Sequence, residues 1–342
     1  MPCPCPHAEL RYVDTDAPGI TRRRLKRGWA YRDAGGARIT DRDEIERLNA
    51  IGLPPAYTDA WFCPDSRGHI QAIGVDARGR RQYRYHSAFR AMQEAAKYSR
   101  CADFARALPA LRRQVTADLA RRHLVKERAV AAVVRLLDLG RLRVGNESYA
   151  ITNKSFGATT LRKRHARVTG ATLRLQFRAK SGRMRVMAVT DATLGRFVKR
   201  CQQLPGQHLF AWLDADGCAH PVTSTCVNYY LRAVMGTDFT ARDFRTWGTS
   251  VLAFEALSNA PAPISLAAML DPVTAALGNT PAVARRSYVH PDLVALARDK
   301  AAQAAFRAEL RLPRRTRYLS RYERGLIAFL DAPVSATVRA AA

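Results

Sequence analysis

Residues 172–189 read Thr172-Leu173-Arg174-Leu175-Gln176-Phe177-Arg178, then Ala179-Lys180-Ser181-Gly182, then Arg183-Met184-Arg185-Val186-Met187-Ala188-Val189. Apolar and polar residues alternate on either side of a glycine turn, which predicts a β-hairpin with one apolar and one cationic face. In the first strand Leu173, Leu175 and Phe177 form the apolar face. In the second, Met184, Val186 and Ala188 are assigned to it, against Arg183 and Arg185. Lys180 stands at the turn and continues the polar register of Thr172, Arg174, Gln176 and Arg178. A lysine at a hairpin tip is ordinarily just solvated. Yet few of the 56 basic residues are lysine, and an ammonium can release a proton where a guanidinium effectively never does.

Around this hairpin the sequence period is helical. Residues 89–98, 104–124 and 126–139 are amphipathic and dense in Ala, Arg and Leu, and helices dominate again after residue 189. Before about residue 92 the pattern is short and β-like. Trp29-Ala30-Tyr31-Arg32 leads into the turn Ala34-Gly35-Gly36, followed by Ile39-Thr40. Asp41 is placed to cap a short helix through Asn49. Trp61-Phe62-Cys63-Pro64 and the run from His69 to Val75 flank the turn Asp65-Ser66-Arg67-Gly68, a second hairpin signal. Gly79-Arg80-Arg81-Gln82-Tyr83-Arg84-Tyr85 closes this part. The fold class expected is therefore α+β. A small β-rich N-terminal domain, residues 1–92, precedes a larger, mainly α-helical domain, residues 93–342, that contains the hairpin.

Composition narrows the function classes. The 342 residues carry 56 Lys+Arg against 29 Asp+Glu, a formal charge of +27. A soluble chain this basic reads first as a nucleic-acid binder whose affinity rests on phosphates and falls steeply with salt. No run of 18 or more apolar residues is present, so no membrane span is expected. The N-terminus lacks a secretory signal, which places the protein in the cytoplasm. Seven scattered cysteines fit reduced thiols rather than a disulfide framework. Cys3, Cys5 and His7 lack the second ligand pair of a zinc site and read as a proline-rich terminus. No Gly-x-x-x-x-Gly-Lys-Ser/Thr loop marks an ATP site, and no cofactor is expected.

Three further stretches could carry chemistry. In Leu142-Arg143-Val144-Gly145-Asn146 the arginine either snorkels from a helix end or turns inward to bind an anion. In Asp243-Phe244-Arg245-Thr246-Trp247-Gly248, Arg245 opens an apolar helix, where a guanidinium beside a helix N-terminus would cradle a phosphate. The alternative is a capping Asp243 with Arg245 as its surface partner. In Leu277-Gly278-Asn279-Thr280-Pro281, Thr280 caps a short helix that Pro281 begins and Pro291 stops, with Tyr288 near its end. A lone tyrosine is most often a half-buried packing residue.

Taken in order, Arg143, Lys180 in a hairpin, Arg-Thr-Trp-Gly at 245, and Gly-Asn-Thr-Pro shortly before Ser287-Tyr288 resemble the type IB DNA topoisomerases. The match is to their compact poxvirus-like and bacterial branch and covers about residues 15–295. Tyrosine recombinases share the catalytic logic. The resemblance implies a clamp around double-stranded DNA, with no small-molecule cofactor and no membrane, acting as a monomer on the nucleoid. It implies that Tyr288 is the nucleophile, that Arg143 and Arg245 bind the phosphate, that Lys180 is the general acid, and that Asn279 assists. It also implies DNA contacts at Gln82, Tyr83 and Tyr85 in the N-terminal strand, and at Tyr149 and Arg242. The chain departs from the pattern at Asn279, where the family often has a histidine. Asparagine can donate a hydrogen bond but can be neither cationic nor an acid. His290, just past the helix, reads as structural. Two other functions fit less of the chain. A tyrosine recombinase would carry a helical first domain, and a non-enzymatic DNA-packaging protein would need only the charge.

Overall fold

The computed structural model describes residues 10–332, and it divides into two compact units, Met1–Ser99 and Arg100–Ala342. Cys3, Cys5 and His7 lie outside the described residues. The five described cysteines are all free thiols.

The first unit is a five-stranded antiparallel sheet with two helices. Its strands are β1 (Ile20–Arg24), β2 (Trp29–Arg32), β3 (Thr58–Phe62), β4 (Ile70–Val75) and β5 (Arg81–Tyr85), in the order β2-β1-β3-β4-β5. Helix α1 (Arg42–Ala50) starts where Asp41 accepts the Asp43 N–H, as the capping pattern requires. Helix α2 (Ser87–Ser99) follows β5 and counts with this unit. Ile20, Tyr31, Leu48, Leu53, Phe62 and Ala72 form its core. Ile39-Thr40 makes no strand; a single bridge between Arg32 and Arg38 closes that turn.

The second unit is mainly helical. Helix α3 (Cys101–Leu119) lies against α4 (Lys126–Gly140), whose Arg128–Val134 run, Leu136 and Leu137 are all buried. A helix buried on nearly every side is the centre of a core rather than its surface. Each such Leu or Val contributes roughly 1.5–3 kcal/mol. Helix α5 (Glu147–Asn153), strands β6 (Ala166–Thr169), β7 (Thr172–Arg178) and β8 (Met184–Thr190), and helix α6 (Ala192–Gln202) come next. A two-stranded ribbon, β9 (Ala211–Leu213) with β10 (Ala219–Pro221), precedes α7 (Ser224–Met235) and α8 (Ala241–Asn259). The chain then runs through α9 (Leu266–Leu277), α10 (Pro281–Ser287), α11 (Pro291–Arg298), α12 (Lys300–Glu309) and α13 (Arg321–Asp331). The described chain thus has the mixed class its periodicities predict, a β-sheet followed by helices with small sheets.

Two expectations are corrected here. The helix expected to run to Leu124 stops at Leu119, where the ladder tightens and the Arg121 N–H reaches back only three residues, to the Asp118 carbonyl (3.2 Å). Arg128 donates to the carbonyl of Arg122 (2.9 Å), and so does Arg200 (2.6 Å). The second correction concerns the hairpin. It forms where expected, extended by β6 into a three-stranded sheet, but its second strand is turned over. The pairs Phe177↔Arg185, Leu175↔Met187 and Leu173↔Val189 place Arg185, Met187 and Val189 behind the sheet. Met184 (57% exposed) and Val186 (60%) stand on the open face with Arg174, Gln176 and Arg178. Residues directly opposite each other share a face, so the length of the connection sets the register and overrides the apolar count.

Candidate active site

Helix α4 ends at Gly140, and the chain leaves it through Arg141 in the left-handed conformation (φ 50°). Leu142 is buried, and Arg143 then projects its Nη2 to within 3.2 Å of the Tyr288 hydroxyl. The backbone around Arg143 is held firmly. Its carbonyl accepts from Ala158 N–H (2.8 Å), and the Val144 carbonyl accepts from Thr159 N–H (2.7 Å). Gly157 permits this contact, since a Cβ there would lie 2.6 Å from the Arg143 carbonyl and from Gly145 backbone. Gly157→Ala is therefore expected to shift the Arg143 loop and to lower stability by about 1–3 kcal/mol. A thermal melt together with the Tyr288 pKa checks this, and an unchanged pKa would show that the loop does not set the Arg143 position.

Arg245 lies within α8, and α8 is capped by Thr240 and Asp243 in a reciprocal box. The helix N-terminus is thus occupied by its own cap, and the guanidinium rather than the helix end is what the site offers. Arg245 is 2% exposed and donates from Nη1 to the Arg141 carbonyl (2.6 Å). Its guanidinium carbon sits 4.7 Å from the centre of the Tyr288 ring. Burial, and then the nearby Arg143, lower its pKa to about 10, so it remains a cation at neutral pH. Its Nε and Nη2 are buried with no hydrogen-bond acceptor.

Tyr288 is the C-cap of α10, which begins at Pro281 with Thr280 accepting the Val283 N–H. Helix α8 fastens this segment from the side. Thr249, one turn beyond Arg245, donates to the Tyr288 carbonyl (2.8 Å), and Ser250 accepts the His290 N–H (3.0 Å). His290 in turn caps α11 and is buried, and Pro291 starts that helix rather than only stopping the last. Burial alone would raise the Tyr288 pKa. The positive charges of Arg245 and Arg143, with the Arg143 hydrogen bond, outweigh it, and the hydroxyl is held below its ordinary value. Replacing either arginine by alanine is expected to move that pKa upward, measurable by NMR on ring-labelled tyrosine. A Tyr288 pKa unmoved in both variants would sink this account.

Asn279 follows Gly278, the left-handed C-cap of α9 (φ 66°), and its Nδ2 is buried without an acceptor. Asn279 Nδ2 and Arg245 Nε and Nη2 are thus three buried donors left open, each costing about 1–3 kcal/mol until an acceptor arrives. Lys180 is exposed at the hairpin tip, where Ser181 takes a left-handed turn (φ 65°). No hydrogen bond or ion pair holds the Lys180 ammonium among the described residues, and no contact joins it to Tyr288. The hairpin itself is anchored nearby, with Arg183 donating to the Gly278 carbonyl (3.0 Å).

Arg185 and Thr249 were not singled out in the sequence. Arg185 donates to the carbonyls of Gly140 and Ala276 (2.8 Å each), at the ends of the helices that lead to Arg143 and Asn279. Burial, with Arg245, Arg143 and Arg141 around it, brings its pKa to about 10. The length of the hairpin connection was the signal that could have found it. Tyr149, on α5, and Arg242, in the first turn of α8, are both exposed. In the first unit Tyr83 and Tyr85 are exposed on edge strand β5, with rings stacked at 6.1 Å. The alternation of β5 sends Gln82 to its other face, where its amide donates to Asp76 (3.0 Å). The three do not form one surface.

The Tyr288 hydroxyl thus lies between two guanidinium groups, one of them with open buried donors, an arrangement that can hold an anion against the phenol oxygen. The family described as the catalytic core of eukaryotic DNA topoisomerase I matches residues 86–290, and the N-terminal domain of bacterial DNA topoisomerase IB matches residues 28–76. The chain belongs to the DNA topoisomerase I family. It is 33% identical over 223 residues to the DNA topoisomerase 1B of Acanthamoeba polyphaga mimivirus, across 64% of this chain and 66% of that protein, just under two thirds of its length. Among solved structures it is similar to the XerH site-specific recombinase bound to its difH substrate, with a TM-score of 0.36 and 13% identity over 52% of this chain and 48% of the other.

Proposed function

We propose that this chain is a type IB DNA topoisomerase that relaxes supercoiled duplex DNA by cutting and rejoining one strand through Tyr288. The observation that carries the reading is the Tyr288 hydroxyl hydrogen-bonded by Arg143, ringed by Arg245, and held below its ordinary pKa. The phenolic oxygen attacks a backbone phosphorus, forms a 3′-phosphotyrosyl bond and expels the 5′-oxygen. As the oxygen attacks, its proton must leave, and both cations favour that loss. Negative charge gathers on the non-bridging oxygens in the pentavalent transition state. Arg143, the open edge of Arg245 and the Asn279 amide are the donors for it. Lys180 protonates the departing 5′-oxygen from the hairpin tip. The second half reverses the first, with the 5′-hydroxyl attacking phosphorus and Tyr288 leaving. The phosphodiester energy is conserved in the tyrosyl link, so the reaction needs neither ATP nor an obligatory metal.

In this reading Tyr83, Tyr85, Tyr149 and Arg242 contact the duplex, the two units close on it as a clamp, and the enzyme works as a monomer on the nucleoid. Gln82 joins them only if DNA displaces Asp76. The test is relaxation of supercoiled plasmid without ATP and with a chelator. Relaxation that vanishes in Tyr288→Phe, with duplex binding kept, is the expected result. Binding without relaxation would refute the proposal, and products joined at one sequence would reassign the chain to recombination.

A further inference from the structure

A cavity of about 440 Å³ lies at the far end of α4 from the site just described. Arg121 and Arg122 from the loop after α3, Arg128 from the first turn of α4, and Arg196 and Arg200 from α6 line it. Among these five guanidinium groups only Arg121 has carboxylates to meet, Asp118 at 2.9 Å and Glu127 at 3.9 Å. Three of the others rest on neutral oxygens. Arg128 and Arg200 share the Arg122 carbonyl, and Arg196 donates to the Thr193 hydroxyl (3.3 Å). Arg128 is only 8% exposed, and its Nε has no acceptor. Burial, with Arg200 and Arg196 nearby, holds its pKa below the ordinary arginine value. Helix α4 also begins without a side-chain cap, so the positive end of its dipole adds to the field.

So much unpaired like charge around one hollow is unfavourable until an anion enters. Arg128 stands twelve residues before Gly140, which separates the hollow from the Arg143 end of α4 by about 18 Å. The phosphate attacked by Tyr288 cannot serve both places. We propose that the hollow is a second anion site, built for a small, multiply charged phosphate compound such as a condensed oligophosphate. Its volume is that of a small-molecule site rather than of a duplex surface, and forked guanidinium donors match phosphate oxygens two at a time. A DNA backbone phosphate offers the same chemistry from another source, and the two can be told apart.

The probe is tripolyphosphate, titrated calorimetrically into the 342-residue chain at near-physiological salt. Saturable one-to-one binding is expected. The pair Arg196→Ala with Arg200→Ala is expected to weaken it about tenfold or more. The pair Arg314→Ala with Arg315→Ala removes equal charge outside the hollow and is expected to leave it unchanged. All four side chains are exposed, and melting curves verify that each variant is folded. Equal weakening by both pairs, or binding that never saturates, would mean a general cationic surface and overturn the proposal. Loss of duplex affinity in the Arg196/Arg200 pair, with tripolyphosphate binding intact, would assign the hollow to DNA and overturn it too.

Discussion

Arg245→Ala is expected to slow DNA cleavage on the order of 100-fold or more, the cost of removing one preorganised donor from a developing oxyanion. The protein should still fold. Arg245 sits in the folded state with its charge opposed by burial and by Arg143, and its pKa of about 10 records that strain. Losing such a group does not strand a partner charge, because its one protein acceptor is the neutral carbonyl of Arg141. Duplex affinity should change little, since one phosphate contact among many is a small part of binding by so basic a chain. Arg245→Lys should not restore the rate, because an ammonium cannot present two donors in a fixed fork. Single-turnover cleavage of a duplex oligonucleotide, run beside a binding titration, measures both quantities. A cleavage rate within a few fold of the parent would remove Arg245 from the phosphate site.

Much of the fold was legible because local chemistry and tertiary structure agreed. Asp41, Thr280 and the Asp65–Gly68 turn each do what their side chains favour alone, and the elements around them form where expected. The failures share a cause. Apolar periodicity put Met184 and Val186 inside, but the pairing of β7 with β8 depends on the connection between them, which periodicity does not see. Periodicity likewise carried α3 past Leu119, into a loop that Arg128 and Arg200 fix by reaching the Arg122 carbonyl from other elements.

The site divides along the same line. Tyr288, Arg143, Arg245 and Asn279 were expected from a resemblance carried by short motifs, and Arg143 and Arg245 do lie against Tyr288. Their support was not expected. Thr249 and Ser250 hold the Tyr288–His290 backbone from a helix that enters the sequence about forty residues earlier. Arg185 looks like one more arginine on a cationic strand until the register turns it inward onto two helix ends. Residue type announces chemistry; which face a residue takes is decided by partners distant in sequence.

Arg112→Ala is expected to destabilise the second unit by about 3–5 kcal/mol at neutral pH, the cost of leaving buried charges without their partner. Arg112, on α3, donates to both oxygens of Asp138 on α4 (2.8 and 2.9 Å) and to both of Glu323 on α13 (3.1 and 2.7 Å). Glu323 also accepts from the Trp247 indole on α8 (3.3 Å). One guanidinium thus joins four helices, and α8 among them carries Arg245. Burial would raise the Glu323 pKa, but Arg112 outweighs it and holds the carboxyl below the usual glutamate range. Its stabilising contribution is therefore complete above the unfolded pKa and is lost as pH falls through the folded one. Without Arg112, burial is opposed only by the Ser320 N–H and the Trp247 indole and the Glu323 pKa moves up, so the cost is greatest where the carboxylate must stay charged. The stability gap between variant and parent, from denaturant midpoints, should be wide at pH 7 and narrower near pH 4. A gap under about 1 kcal/mol at pH 7, or one equal at both pH values, would show that the ion network does not bind α13 to α8. Because α13 lies beyond residues 86–290, which match the family core, the wide gap would also mean that the helix carrying Arg245 depends on chain outside that core.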